Sequence, residues 1–333
     1  MMRYGVDLRR FNTFGLPAVA ERYLPLTDLA QLEGEEFRQA PDLVLGGGSN
    51  LLLLEDLPGL TVHVLLSGIT WSDGKGRFRV AAGTDWNQFV RHTLERGFAG
   101  MENLILIPGT VGAAPVQNIG AYGAEVAEFI TAVHAWEYGV GPVDLSPADC
   151  AFGYRDSHFK REPGRYLITA VSFDLSTPRP LKLDYGAIRG ELDRLGIKQP
   201  TAADVANAVT SIRRSKLPDW FLLGNSGSFF KNPVVARSTY ERLQQTHSDL
   251  PAYPVDEAHV KLPAGWLIDR AGLRGQGNER VGTYDRQALV LVNRGGACGR
   301  DVLDFSERVQ DTVAEQFGVR LEREVQLVGG SAT

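Results

Sequence analysis

The chain has 333 residues, 43% of them hydrophobic, and a formal net charge of -5 at pH 7. That is enough apolar material for two or three domains. The acidic balance argues against a general nucleic-acid or anionic-membrane binder, and no apolar run approaches the ~20 residues of a membrane span.

Strand and helix signals alternate along the chain. The stretch "MMRYGVDLRRFNTFG" has no apolar signal core, so a cytoplasmic protein is expected. "TDLAQLEGEEFRQA" reads as a helix capped by Thr27 or Asp28, despite Gly34. "PDLVLGGGSN" is a short apolar strand running into a glycine turn, and "TVHVLL" and "RFRVAAG" alternate with period two. "DWNQFVRHTLERG" predicts a helix with Asp85 as cap, Trp86, Phe89, Val90 and Leu94 on one face, and Gly97 as stop. Strands recur at "TAVHAWEY" and "RYLITAVSFDL", and "LSTPRPLKLDYGAIRGEL", with two prolines near its start, reads as a loop or linker between halves. "TAADVANAVTSIRRSK" turns helical. "DVLDFSERVQDTVAEQFG" is the clearest helix, with Val302, Phe305, Val309, Val313 and Phe317 in one stripe before Gly318, and "RLEREVQLVG" reads as a terminal strand. The order predicts an α+β protein with a larger N-terminal unit and a smaller C-terminal one. Two cysteines, Cys150 and Cys298, make no disulfide framework and fit a reducing compartment. Six scattered histidines with no HxxxH or CxxC spacing predict no protein-built metal site.

Two glycine-rich stretches ask for an explanation. "LGGGSN" covers 45–50, and "PGTVGAAPVQNIGAYGAE" covers 108–125 with four glycines, two prolines and no Lys or Arg. Neither holds GxGxxG, which excludes a Rossmann dinucleotide fingerprint. "GITWSDGKG" lacks the P-loop glycine spacing and the Ser or Thr after Lys75. A lone "GGGSN" is more often a tight strand-to-loop turn. Two uncharged loops together point to a large diphosphate-bearing ligand held mainly by backbone N–H groups.

Six motifs then occur in register: "LGGGSNLLL", "IPGTVGAAPVQNIGAYGAE", "FGYRDSHFK", "GNSGSFFKNPVV", "PAGWLIDRAGLRG" and "LEREVQLVGG". From "NTFG" at 12–15 through Gly330, the chain resembles the bacterial UDP-N-acetylenolpyruvoylglucosamine reductases. The resemblance implies an FAD-binding unit of the vanillyl-alcohol-oxidase (PCMH) type over 1–200, in two parts at about 1–66 and 67–200, and a substrate-covering α/β domain over 201–333. It implies non-covalent FAD, NADPH as co-substrate, and UDP-N-acetylglucosamine enolpyruvate as the sugar nucleotide bound in turn with NADPH at one site. A monomer is expected. The implied reaction delivers a hydride from flavin N5 to the enol methylene carbon and a proton to the neighbouring carbon.

The resemblance also assigns roles. Arg155 grips the substrate carboxylate, Ser228 is the proton donor, and Glu324 stabilises and positions, its protonation state open. Taken alone, Arg155 would be an ordinary ion pair with Asp156 or a surface Glu, Ser228 a loop serine or helix cap, and Glu324 a solvent-facing carboxylate like Glu322. Gly46, Gly47, Gly48, Ser49 and Asn50 would meet the flavin diphosphate, together with Pro108, Gly109, Gly112, Ala113, Asn118, Ile119, Gly120 and Tyr122. Tyr185, on the loop that marks type I members, would contact the UDP-sugar with Lys216, Asn232 and Gln287. Phe229 and Phe230 read as core, and Cys298 as inert. Two rivals stand beside this reading: an oxidase on the same FAD fold, and a flavin- or nucleotide-binding module without catalysis. No His or Cys lies in either glycine loop to tether a flavin, and a binding module has no need of Arg155, Ser228 and Glu324 together.

Overall fold

The computed structural model describes residues 1–71, 74–185 and 187–330, so Ser72 and Asp73 of "GITWSDGKG" and Gly186 of the type I loop lie outside it. The chain forms two compact units that interleave in sequence. The first comprises 1–6, 20–48 and 57–215, and the second 7–19, 49–56 and 216–333.

In the first unit a four-stranded sheet is ordered Arg3–Asp7, Val19–Leu26, Leu57–Val64, Leu43–Leu45, the last three parallel. A five-stranded antiparallel sheet runs Gly141–Leu145, Ile130–Glu137, Tyr166–Asp174, Arg77–Ala81, Ile69–Trp71. The predicted helix is present over Trp86–Glu95, its first free N–H groups met by Asp85, which accepts from Gln88 N at 2.7 Å. Its Trp86, Phe89 and Val90 are at most 1% exposed. Phe89 lies 4.8 Å, centroid to centroid, from Phe173, and Trp86 Nε1 donates to Leu104 O at 2.9 Å. Each such side chain contributes about 1.5–3 kcal/mol by burial, which fixes the helix on the sheet. Cys150 also lies in this core, and burial with Asp149 nearby pushes its thiol up to about 12, so it stays a neutral thiol.

The second unit has its own core around Phe229, Phe230, Leu267, Leu291 and Val309. The stripe read from the sequence becomes the Gly299–Phe317 helix, ended by Gly318 at φ 68°. Its start lies so close to Leu53 that a Cβ on Gly299 would fall 1.9 Å from that carbonyl oxygen. Three-stranded sheets form from Gly224–Ser228, Val290–Asn293 and Val281–Thr283, and from Val234–Ala236, His259–Lys261 and Tyr253–Pro254. Gln326–Val328 pairs in parallel with Leu51–Leu53. Among the described residues no helix is long and apolar enough to cross a membrane.

Three local expectations change. The 27–40 segment is two short 3-10 helices, Leu29–Glu33 and Glu35–Phe37, because Gly34 between them is extended at φ -70°, ψ 161°. Asp28 does cap the first, with Gln31 completing a capping box. The terminal strand shrinks to Gln326–Val328, and the presumed linker carries a helix over Ile188–Arg194.

Candidate active site

In the first unit the two glycine loops touch. A Cβ on Gly47 would stand 2.8 Å from Gly109 Cα, one on Gly46 2.8 Å from Thr110 Oγ1, and one on Gly112 2.5 Å from the Ala82 Cβ. These glycines are therefore also needed for protein-to-protein approach, a use beside the expected one of leaving backbone bare for a ligand. Gly47, Pro108 and Ala113 remain exposed on the joined loops. Gly47→Ala is expected to destabilise the protein by about 1–3 kcal/mol, because backbone cannot yield as a flexible side chain can. Thermal unfolding with a parallel measure of bound flavin checks this, and an unchanged melting temperature would show that the loops can part at no cost.

Beyond the contact, the central loop and the turn that carries Arg155 are held in unusual backbone conformations. Asn118, Tyr122 and Arg155 have φ of 44°, 49° and 53°, a region that non-glycine residues occupy at a cost of about 1–3 kcal/mol. Asn118 explains part of how this is sustained. Its Nδ2 donates to Glu125 Oε2 at 2.8 Å and to Gly153 O at 3.0 Å, while its Oδ1 accepts from Ala127 N. The Asp156 carboxylate pairs with Arg161. Arg155 Nη2 donates to Gly120 O at 2.6 Å, and Lys160 Nζ donates to Arg155 O at 2.9 Å, so the guanidinium is seated on the central loop. Tyr185 stands at the same loop: its ring meets the Tyr122 ring edge-on at 6.5 Å and comes 3.4 Å from where a Cβ of Gly123 would be.

One residue there escaped the sequence reading. Arg213, one helical turn before Lys216 on Ala202–Lys216, has its Nε buried without a hydrogen-bond partner among the described residues. Burial holds its guanidinium below the ordinary arginine value, opposed by Tyr122; burial likewise lifts the Tyr122 phenol above its own, opposed by Arg213. A partly desolvated cation beside a loop of bare backbone fits a phosphate or carboxylate better than it fits apoprotein. The three-residue spacing to Lys216 was the one sequence signal.

In the second unit Ser228 ends the Gly224–Ser228 strand opposite Val290, exposed, while Phe229 and Phe230 turn into the core at 0% and 1% exposure. Glu324 N donates to Phe229 O at 2.9 Å, which brings the serine and glutamate segments side by side. Asn50 fastens the same place, its Nδ2 donating to Glu324 O at 3.2 Å and its carbonyl accepting from Gln326 N at 3.0 Å. Glu322 points outward to Lys231, 3.0 Å away, whereas Glu324 is half-buried. Asn232 and Gln287 converge on the start of the Ala264–Arg270 helix: Asn232 Oδ1 accepts from Ala264 N at 2.9 Å, and Gln287 Oε1 would sit 3.0 Å from a Cβ on Gly265. Lys216 is exposed at the end of its helix. Cys298 is exposed at the N-cap of the Gly299–Phe317 helix.

Residues 36–141, which hold both glycine loops, match the family model described as FAD binding domain. Residues 219–328 match the model described as UDP-N-acetylenolpyruvoylglucosamine reductase, C-terminal domain. The chain is 50% identical over 332 residues to the UDP-N-acetylenolpyruvoylglucosamine reductase of Chromobacterium violaceum, covering 97% of each chain. The chain belongs to the UDP-N-acetylenolpyruvoylglucosamine reductase family. The reductase of an Azoarcus species is 48% identical over 330 residues, covering 96% of this chain and 95% of that one. A crystal structure of the reductase from Thermus caldophilus superposes with a TM-score of 0.70 at 26% identity, covering 99% of this chain and all of the other. Membership gives this reductase a flavin-dependent oxidoreductase's frame, an FAD-binding domain followed by the family's C-terminal domain.

Proposed function

We propose that this reductase uses NADPH, by way of non-covalent FAD, to convert the enolpyruvyl ether of UDP-N-acetylglucosamine enolpyruvate to the lactyl ether of UDP-N-acetylmuramate, a step of peptidoglycan precursor synthesis. The observation that carries this reading is the near-full-length identity to curated reductases. Bare backbone at Gly47 and Gly109 and the half-buried Arg213, whose Nε is buried without a hydrogen-bond partner among the described residues, support a diphosphate-bearing cofactor on the first unit. FAD, when bound, supplies the two-electron chemistry that no side chain offers.

The side chains are left with binding, orientation and one proton. Reduction at the methylene carbon leaves negative charge on its neighbour and on the attached carboxylate. Arg155, always charged and planar, is suited to hold that carboxylate and to stabilise it as the charge grows. Ser228 donates a proton to the carbon that bears the carboxylate. A hydroxyl is a weak acid, so it serves only an intermediate that is a strong base. Glu324, half-buried behind Phe229, accepts or donates a hydrogen bond according to its protonation state and keeps the serine side of the site oriented. Tyr185, Lys216, Asn232 and Gln287 receive the UDP-sugar. NADPH and the sugar nucleotide use the site in turn, and the enzyme works as a monomer in the cytoplasm where both charged nucleotides are held.

The purified holoenzyme is expected to be yellow, to bleach on anaerobic NADPH addition, and to recover its absorbance when the enolpyruvyl sugar is added without oxygen. Recovery with oxygen alone would make it an oxidase. Failure to bleach and turn over would leave a passive binding module.

A further inference from the structure

Residues 175–185, between the Tyr166–Asp174 strand and the Ile188–Arg194 helix, form neither helix nor strand, and Tyr185 lies at their end. Holding such a segment in one conformation costs about 1–2 kcal/mol of backbone entropy per residue, so specific contacts must offset that cost. Several of them meet at one place. Lys182 Nζ donates to Gly123 O at 2.8 Å and to both carboxylate oxygens of Glu128 at 2.7 Å. Asn103, 1% exposed, donates from one Nδ2 both to Lys182 O at 2.9 Å and to Tyr122 O at 2.8 Å. Arg179 Nη2 donates to Glu128 O at 2.8 Å, and its guanidinium lies 4.8 Å over the Phe129 ring. Glu128 is itself fixed, because its Oε1 accepts from Glu125 N at 2.8 Å. The half-buried end of the central glycine loop, 122–129, is thus tied to 179–182, three residues before Tyr185.

We propose that the Lys182–Glu128 ion pair, with Asn103 tying Lys182 O to Tyr122 O, forms a latch that positions Tyr185 over the central glycine loop, making Lys182 and Glu128 positioning residues for the sugar nucleotide. The proposal rests on the substrate-binding role given to Tyr185 above. The latch anchors at Gly123 and Tyr122, residues that Tyr185 itself meets, so a break in it acts on the tyrosine rather than on distant structure. The ion pair is partly solvated, with side-chain exposures of 42% and 30%, and acts as a weak, salt-sensitive clasp.

The test compares FAD-loaded wild type with Lys182→Met, Glu128→Gln, the charge-exchanged Lys182→Glu/Glu128→Lys, and Tyr185→Phe. Hydrogen exchange is followed over 179–185, with KM for UDP-N-acetylglucosamine enolpyruvate and kcat measured alongside. In both single latch variants exchange should speed up and KM rise about two- to fivefold with kcat within twofold, the scale of a partly exposed ion pair. The charge exchange should recover part of the KM. Tyr185→Phe should raise KM about three- to tenfold, as expected for one lost hydrogen bond, without faster exchange. A raised KM in Tyr185→Phe with an unmoved KM in the latch variants overturns the latch alone. An unmoved KM in Tyr185→Phe overturns the reading on which it rests. Unchanged exchange in both latch variants overturns the clasp whatever the kinetics.

Discussion

In the Ser228→Ala enzyme, stopped-flow reduction of the flavin by NADPH should run near the wild-type rate, while reoxidation by the enolpyruvyl sugar slows by a factor on the order of 10²–10⁴, the usual contribution of a positioned general acid. The split follows from order: no enolate exists until the sugar has entered, so the first half-reaction has nothing for Ser228 to protonate. The fold should tolerate the change. Ser228 is exposed, its backbone is set by pairing with Val290, and the buried rings of Phe229 and Phe230 that follow are untouched. Ser228→Cys should keep part of the second rate, since a thiol also donates a proton while its larger sulfur disturbs the approach. An alanine variant that reoxidises at the wild-type rate would remove Ser228 from the chemistry. Equal slowing of both half-reactions together with lost FAD would make it structural.

Arg213→Met should have the largest effect on binding, and of opposite sign in the loaded and empty proteins. A half-buried arginine whose Nε is buried with no hydrogen-bond partner among the described residues burdens the apoprotein with that group's desolvation. Replacing it with an apolar chain of similar length should therefore raise the melting temperature of the apoprotein. With an anion in place the cation is matched, and removing it should weaken that ligand by roughly 2–5 kcal/mol, about 30- to several-thousand-fold. FAD lost on gel filtration assigns the arginine to the flavin diphosphate, whereas retained FAD with a weakened sugar nucleotide assigns it to the substrate. Equal affinities for both, with an apoprotein no more stable than wild type, would show that Arg213 has no anion to meet.

The contrast between these two residues shows what the sequence could tell. Ser228 lies in a motif, "NSGSFF", so its role travels with the resemblance, and Asp85, Gly318 and the Val302–Phe317 stripe could be read from capping chemistry and period alone. Arg213 sits in an ordinary helical run, and its importance is a matter of missing company, which only three-dimensional burial reveals. Gly34 was visible, but whether one glycine is carried through a helix or breaks it depends on neighbours such as Phe37, which is buried beyond the break. Glu322 and Glu324 share a face only if a strand runs through both. The 322–324 segment pairs only by an isolated bridge, Arg323 to Phe230, and there Glu322 is exposed against Lys231 while Glu324 is half-buried. Asn118 was assigned to the flavin by position, and its amide is engaged with Glu125, Gly153 and Ala127, contacts that no spacing rule anticipates.

The interleaving of the two units bears on how the protein is made. Asn50 is bonded to Glu324 across 274 residues of chain, and Leu51–Leu53 waits as an unpaired strand until Gln326–Val328 has emerged. Closing so long a loop is costly before any contact rewards it, and topologies of this kind assemble slowly. During synthesis the 49–56 segment thus spends most of translation as an exposed apolar edge, the sort of strand that recruits chaperones or the wrong neighbour. The carboxylate assigned to the active site takes its place only with the final pairing. A half-made chain of this reductase can therefore acquire its first unit's core while remaining catalytically silent.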